Sequence, residues 1–404
     1  MNEKYLWVIG GGFLQIPLIR EAQKIGLKTI VSDYNPNCPA KELSDIFLEL
    51  DVFDIEAHLN YLRDCKLNIS GVLAAGIDAP ETMAAMNQEL GLKGVNLRTA
   101  LLVKNKDQFR LKLQELGYPT PQFLIIQDLD KIEEKLQTLH FPVIVKPTNN
   151  CGSRDMKIFS NYSDELITFI KQNLQKYKIV LVEQMWQGVE QTVECLVDID
   201  SNFHRGFITD RLFTFENDYP IELGLQHPTQ LSRTQQEELY ILAENLAKDL
   251  NIEAGAVKLD TIYTADGPRV IELTVRHSGG FDCQYLVPRS TGKNILKAAI
   301  LTAIQKPFEK TLLQDTLHKF GTTGSLWPKS GKITAINGLE DAKNIEGVEE
   351  IIVAKNVGEY VRNYTDCAAR VLFIITTANT LQKAQEILKQ AQDTIQIKIE
   401  NVSN

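Results

Sequence analysis

Residues 256–280 constrain this chain more than any other stretch. Two alternating runs flank Ala265-Asp266-Gly267-Pro268, a tight-turn sequence, so the segment reads as a β-hairpin. With the turn centred near Asp266, Asp260 falls across from Glu272 and Lys258 across from Thr274. Val257, Leu259, Ile271, Leu273 and Val275 then form an apolar stripe on the other face. Directly opposed residues have β-carbons about 5 Å apart, and like charges there repel. Two facing carboxylates need something positive between them. A hard divalent cation with oxygen ligands is the simplest answer. A solvated hairpin that tolerates the pair is the plain alternative.

At 404 residues the chain exceeds one ordinary core, so two to three domains are expected. A net charge of −9 argues against a nucleic-acid or anionic-membrane partner. No run approaches the roughly 18 apolar residues of a spanning helix. The first residues lead into a short strand without a signal-peptide pattern. Cys38, Cys65, Cys151, Cys195, Cys283 and Cys367 are scattered with no Cys-x-x-Cys pair. They read as reduced thiols, and a cytoplasmic protein is expected.

The first hundred residues alternate strand and helix. Strands are expected at Tyr5–Ile9, Lys28–Ser32 and Gly71–Ala74, with helices at Leu14–Lys24, Glu56–Cys65 and Pro80–Leu90. This is a parallel α/β unit. One helix is expected over Thr99–Leu116, ended by Gly117-Tyr118-Pro119-Thr120-Pro121. The middle is α+β, with strands at Phe141–Lys146, Met156–Phe159, Ile179–Gln184 and Gln191–Asp198 besides the hairpin. Helices at Asp164–Gln175 and Thr234–Leu250 separate them. Beyond about residue 310 lies a third region of short strands and turns, with a helix at Leu381–Gln392.

Several segments carry candidate chemistry. Gly10-Gly11-Gly12 follows a strand and opens a helix, and Asp33 ends the next strand, as in a dinucleotide fingerprint. Gln15 stands where that fingerprint needs its third glycine, so a tight strand-to-helix turn is the plainer reading. Lys146 ends a buried strand and must find an anion. The following loop, with Asn149, Asn150, Gly152, Ser153 and Arg154, can offer amides and charge to phosphate oxygens. The strand end at Glu183-Gln184-Met185 can present a backbone donor and acceptor to an adenine, and Glu190 can accept from ribose hydroxyls. Arg276 follows the acidic hairpin directly, placed to hold a phosphorylated or carboxylate substrate. Singly, each has a bland reading: a snorkelling lysine, an exposed acid, a structural histidine at His277.

The ordered set Lys106, Lys146 with its glycine loop, Glu183-Gln184, Glu190, Asp260, Glu272, then Arg276 with Ser278-Gly279-Gly280 resembles the ATP-grasp superfamily over essentially the whole chain. The resemblance implies an α/β pre-ATP-grasp domain over residues 1–103, an α+β ATP-grasp domain over 104–310 and a small β-rich α+β C-terminal domain over 311–404. It implies ATP and two Mg²⁺ ions as cofactors. Lys106, Lys146, Ser153 and Arg154 would contact phosphates, the 149–155 loop forming a flap over them. Glu183, Gln184, Met185 and Trp186 would form the adenine hinge, and Glu190 would bind ribose. Asp260 and Glu272 would ligate metal. Thr274 stands where the pattern Glu-x-Asn-x-Arg has asparagine, so a direct or water-mediated third ligand is left open. Lys146, Lys258 and Arg276 would serve catalysis. Arg276, His277, Ser278 and Gly279 would meet substrate, with the segment Arg211–His227 lining the cavity.

The implied activity is a carboxylate–amine ligase of the L-amino acid ligase or biotin-carboxylase-like branch, acting on small molecules, with a homodimer as the expected assembly. No Met-Lys-Met biotinylation motif occurs. The alternatives are a bicarbonate- or formate-using carboxylase-like or purine-pathway enzyme, a nicotinamide oxidoreductase built on the N-terminal domain, and a degenerate ATP-binding protein.

Overall fold

The computed structural model describes residues 3–150, 152, 154–216, 218–365 and 369–400. Ser153, Cys151 and Cys367, named above, lie outside the described residues.

The N-terminal sheet is parallel, with strands ordered Ile46–Glu49, Lys28–Asp33, Lys4–Ile9 and Asn68–Ala74. Its central strand buries Leu6, Trp7, Val8 and Ile9 completely. A continuous apolar run is what a strand covered on both faces requires. The polar edges inside are paired: Trp7 Nε1 donates to Ser32 Oγ at 3.0 Å, and that hydroxyl lies 2.9 Å from His58 Nε2. The glycine turn is held internally. The Gly11 amide donates to Asp33 Oδ2 at 2.8 Å, and a β-carbon on Gly11 would meet Cys38 Sγ at 2.3 Å. Gln15 Nε2 donates to the Ala75 carbonyl. Asp33 thus serves the turn, accepting from the Gly11 and Asn35 amides.

A second, antiparallel sheet orders Phe123–Ile126, Val180–Gln184, Val143–Pro147 and Lys157–Phe159. Helix Asp164–Tyr177 covers one face, burying Leu166 and Ile170 against Val143, Val145, Val180 and Val182. The third sheet has eight strands, ordered Gly267–Thr274, Gly255–Thr264, Val189–Val197, Phe203–Glu216, Tyr219–His227, Phe320–Ser325, Leu372–Ala378 and Val348–Val353. Helix Arg233–Asp249 packs on it, started by a capping box of Ser232 and Gln235. The last three strands lie beyond residue 310, and Gln226 pairs with Thr322 and His227 with Gly321. The C-terminal region therefore extends the central sheet instead of folding apart from it. A three-stranded sheet of Tyr360–Val361, Gly331–Asn337 and Gln396–Glu400 completes it.

Two expectations need correction. The single helix over 99–116 is two, Leu97–Lys104 and Lys106–Glu115. Asn105 breaks it by taking an extended ψ of 103°. The hairpin register holds, with Asp260 opposite Glu272 and Lys258 opposite Thr274, but it shifts between Asp260 and Thr261. Past this bulge Val270, not Ile271, joins the core, and Ile271 turns to the cavity.

Candidate functional site

One cavity of about 480 Å³ lies between the two antiparallel sheets, closed at one end by Leu14, Gly76 and Asp78 of the N-terminal unit. The chain as a whole carries −9, yet this cavity is lined by eight basic and seven acidic side chains. Cations are in slight excess in this cleft although the chain as a whole is acidic, which suits an anionic ligand.

The hairpin supplies the centre. Asp260 and Glu272 both line the cavity from adjacent strands. Lys258 Nζ donates to Asp260 Oδ1 at 2.5 Å, and Arg211 reaches Asp260 Oδ2 at 3.4 Å. Thr192 Oγ1 donates to Asp260 Oδ1 at 3.2 Å. Burial pushes the Asp260 carboxyl up, but Arg211 and Lys258 outweigh it and hold it well below the usual carboxylate range. Burial also opposes the Glu272 anion. Lys106 Nζ at 2.9 Å reverses that and lowers its pKa. Each acid is thus balanced by cations on flexible side chains. Two opposed, oxygen-only ligands of this kind suit a hard divalent ion.

Lys106 opens its helix because the chain breaks at Asn105, and its amide donates to the Thr148 carbonyl at 2.8 Å. Its ammonium also donates to the Asn150 carbonyl at 2.6 Å, which ties this helix to the 149–155 loop. In that loop Gly152 takes a positive φ of 66°, where a side chain would be strained.

Lys146 pairs with Glu183 on the neighbouring strand, and Arg110 clamps the same carboxylate at 3.0 and 3.2 Å. Burial would raise the Glu183 pKa; Arg110 and Lys146 instead hold it at about 2. Arg110 also donates to the Val270 and Ile271 carbonyls at 2.7 and 3.0 Å. Glu183 therefore locks the two sheets together through Arg110. Its backbone pairs with Phe123 and Ile144 inside the sheet. The Gln184 and Met185 amides donate at 2.8 Å to the Gln122 and Pro142 carbonyls. A base-binding donor at this strand end would have to come from Trp186 onward. The side chains of Gln184, Met185 and Trp186 line the cavity beside Ile144, Ile158 and Ile271, an apolar slot, with the Arg110 guanidinium 5.8 Å from the Trp186 ring.

Glu190 and Glu222 flank Arg211, whose guanidinium reaches them at 3.2 and 2.9 Å. Burial raises the Glu190 pKa despite that cation. Arg370, from the C-terminal region, donates to Glu222 Oε2 at 3.1 Å and stacks over Trp327 and Phe373.

The cavity brings together Lys106, Lys146, Arg154, Glu183, Gln184, Met185, Trp186, Glu190, Lys258, Asp260, Glu272, Arg276, Ser278 and Gly279. Two expected site residues do not line it. Thr274 is buried, with its hydroxyl 3.5 Å from the Arg276 carbonyl. His277 turns inward, its Nδ1 2.8 Å from Glu194 Oε1, while its backbone bonds Ala74 and Gly76 of the N-terminal sheet. It joins two units of the fold. Arg110, Arg370 and Asp282 line the cavity without having been singled out in the sequence. Arg110 sits among ordinary helix charges, and Arg370 belongs to a distant segment. Asp282 had one weak signal, its position just after Gly279-Gly280.

The comparisons agree with this architecture. Residues 113–292 match the model for the D-ala D-ala ligase C-terminus, and residues 325–400 match L-amino acid ligase C-terminal domain 2. A formate-dependent phosphoribosylglycinamide formyltransferase of Prochlorococcus marinus subsp. pastoris is 26% identical over 191 residues, 45% of this chain. The matched stretch spans about half, 47%, of that relative's length. The crystal structure of an L-amino acid ligase from Bacillus licheniformis superposes with a TM-score of 0.81 at 21% identity, covering 99% of this chain and 100% of that one. The biotin carboxylase domain of the Hydrogenobacter thermophilus 2-oxoglutarate carboxylase, solved with MgADP, ADP and bicarbonate, gives 0.76 at 16% identity, covering 99% and 91%. Among the described residues no helix is long and apolar enough to cross a membrane. The chain has the ATP-grasp fold.

Proposed function

We propose that this protein is an ATP-dependent ligase that activates a small carboxylate, an amino acid for preference, as an acyl phosphate and joins it to an amine, releasing ADP and phosphate. The observation that carries the reading is the opposition of Asp260 and Glu272 inside a cleft that also brings together eight basic side chains. The two acids would hold Mg²⁺, as two ions when the triphosphate is bound. When bound, the metal supplies positive charge to the β- and γ-phosphate oxygens.

The chain's own residues do the rest by position and charge, as phosphoryl transfer generally requires. Lys146 and Lys106 bind the phosphates, with Arg154 and Ser153 of the loop over them. Gln184, Met185 and Trp186 hold the base, and Glu190 the ribose. Glu183 supports Lys146 from behind. Lys258 and Arg276 stabilise negative charge on the transferred phosphoryl and on the acyl phosphate. Ser278 and Gly279 border the acceptor end. The 149–155 loop keeps water from the activated acyl group. We assign the nucleotide unit to residues 104–310 between flanking units 1–103 and 311–404. A cytoplasmic enzyme and a homodimer complete the reading; Cys38, Cys65, Cys195 and Cys283 are free thiols.

The formyltransferase match supports a second reading in which formate or bicarbonate is the carboxylate. Screening amino acid pairs, formate and bicarbonate for phosphate release with Mg²⁺-ATP separates the two. Release that needs both a carboxylate and an amine supports the ligase. Turnover driven by bicarbonate or formate in place of an amino acid supports the second reading.

A further inference from the structure

The acceptor end of the cavity holds a carboxyl group that the proposed chemistry has not yet used. Asp282 lines the cavity, is 1% exposed, and its Oδ1 has no hydrogen-bond partner among the described residues. A buried carboxyl oxygen without a donor costs stability and calls for a ligand. Nearby polar atoms share this state. Arg276 Nε, Ser278 Oγ and Gln284 Oε1 are also sealed and unpartnered among the described residues. The orphan atoms therefore cluster along one stretch, 276–284, of which Arg276, Ser278 and Asp282 line the cavity and Gln284 does not.

The backbone there is shaped to aim Asp282. Gly280 and Phe281 both take positive φ, 71° and 68°. For phenylalanine that conformation is strained, and the surrounding packing must impose it. Phe281 is fully buried against Leu225, Leu286 and Ile375. A single wide turn over Asp282–Leu286 follows, a local geometry often found at functional sites. Leu14, Leu225 and Phe373 make this end of the cavity apolar.

We propose that Asp282 receives the ammonium group of the amine nucleophile and takes its proton before attack on the acyl phosphate. This rests on the ligase reading above and adds the identity of the general base. The ammonium gives one N–H proton to a carboxylate oxygen of Asp282. The freed lone pair forms the C–N bond at the acyl carbon. The bond from that carbon to the phosphate oxygen breaks, and phosphate leaves with the electron pair and the second nitrogen proton. Amide, hydrogen phosphate and protonated Asp282 result, and Asp282 returns its proton to solvent as product leaves.

The charged groups around Asp282 suit a base of this strength. Glu194 and Glu222 add negative charge, Lys258 and Arg211 oppose it, and the Cys283 thiol adjoins it. Burial first, then the two glutamates, push the Asp282 carboxyl well above the usual range. Burial thus favours the protonated carboxyl, and the cationic ammonium favours loss of that proton to solvent.

Hydroxylamine separates this proposal from the ligase reading, because it is uncharged at neutral pH and needs no base. In Asp282→Asn, amine-dependent product formation at pH 7 should fall about 100-fold or more. Hydroxamate formation from the same carboxylate, Mg²⁺-ATP and hydroxylamine should fall no more than about threefold. The amine-dependent rate of the variant should climb with pH as free amine accumulates, while the wild-type rate changes less. Equal loss of both products, or retention of both, overturns the assignment. If Asp282→Asn does not fold, wild-type calorimetry in two buffers of different ionisation enthalpy decides. Release of about one proton on binding the ammonium nucleophile at pH 7 supports the proposal, and none overturns it. Absence of hydroxamate from the wild type with every carboxylate instead overturns the ligase reading itself.

Discussion

Lys106 Nζ lies 2.9 Å from the Glu272 carboxylate, so a residue at the first turn of one helix holds an acid on a different layer of the fold. The helix break at Asn105 makes this contact possible. A continuous helix would not begin at Lys106. The pair favours the Glu272 anion, and an incoming triphosphate and its metal would take over both partners.

Replacing Glu272 with glutamine keeps shape and removes charge. Turnover should fall at least about 100-fold, since a metal ligand supplies several kcal/mol of charge stabilisation. The melting temperature should stay within a few degrees, because the neutral amide still faces Lys106. Phosphate release and thermal melting check the two halves. Unchanged turnover would rule out the metal role.

Lys146, Arg110 and Glu183 form one buried unit, and its members should not respond alike. Lys146→Ala leaves Glu183 paired with Arg110, so the fold should survive while ATP affinity drops about tenfold or more. Glu183→Gln leaves two buried cations without their anion and should cost about 3–5 kcal/mol of stability. Melting curves should therefore rank Glu183→Gln below Lys146→Ala. The reverse order would contradict the shared clamp.

Acid should weaken the fold through His227. Burial, and then Lys293, push its ring from 6.5 down to about 4. The unfolded chain then binds more protons than the folded one between those values. Stability from this group is full above about pH 6.5, falls as pH drops through the window, and levels off below about 4. The ring is not fully buried, and solvent keeps the slope below the limiting value of about 1.4 kcal/mol per pH unit. Urea unfolding at pH 7.5 and 5 should show the loss, and His227→Gln should reduce it.

Trading Lys258 for methionine should test the balance at Asp260. Arg211 still reaches that acid at 3.4 Å, so the fold should persist while turnover falls about tenfold or more through lost charge stabilisation. Steady-state phosphate release measures this, and wild-type rates would remove Lys258 from the chemistry.

The most legible feature of the sequence was the acidic opposition, because a tight turn and a two-residue period leave little freedom in a short hairpin. The same period placed Ile271 in the core, and the bulge after Asp260 moved it to the cavity. A bulge has no sequence signature in this segment. Glu183 was legible as a strand-end acid, but its partner Arg110 belongs to a different element, and no local pattern joins the two. Thr274 was placed in the site by the Glu-x-Asn-x-Arg pattern, and His277 by adjacency to Arg276. Thr274 shares the strand face of Glu272 yet is buried, its hydroxyl 3.5 Å from the Arg276 carbonyl, and Glu194 pairs with His277 at the junction with the N-terminal sheet. Arg370 enters the cavity from beyond residue 310 because the C-terminal strands extend the central sheet, a long-range pairing that periodicity cannot reveal.

Where nucleotide and metal bind is the most direct test of the role given to Asp260 and Glu272. A crystal structure with Mg²⁺ and a non-hydrolysable ATP analogue should show metal held by Asp260 and Glu272, with Lys106 and Lys146 on the phosphates. A triphosphate lodged at Gly10-Gly11-Gly12 of the N-terminal sheet, or a metal that avoids both acids, would contradict it.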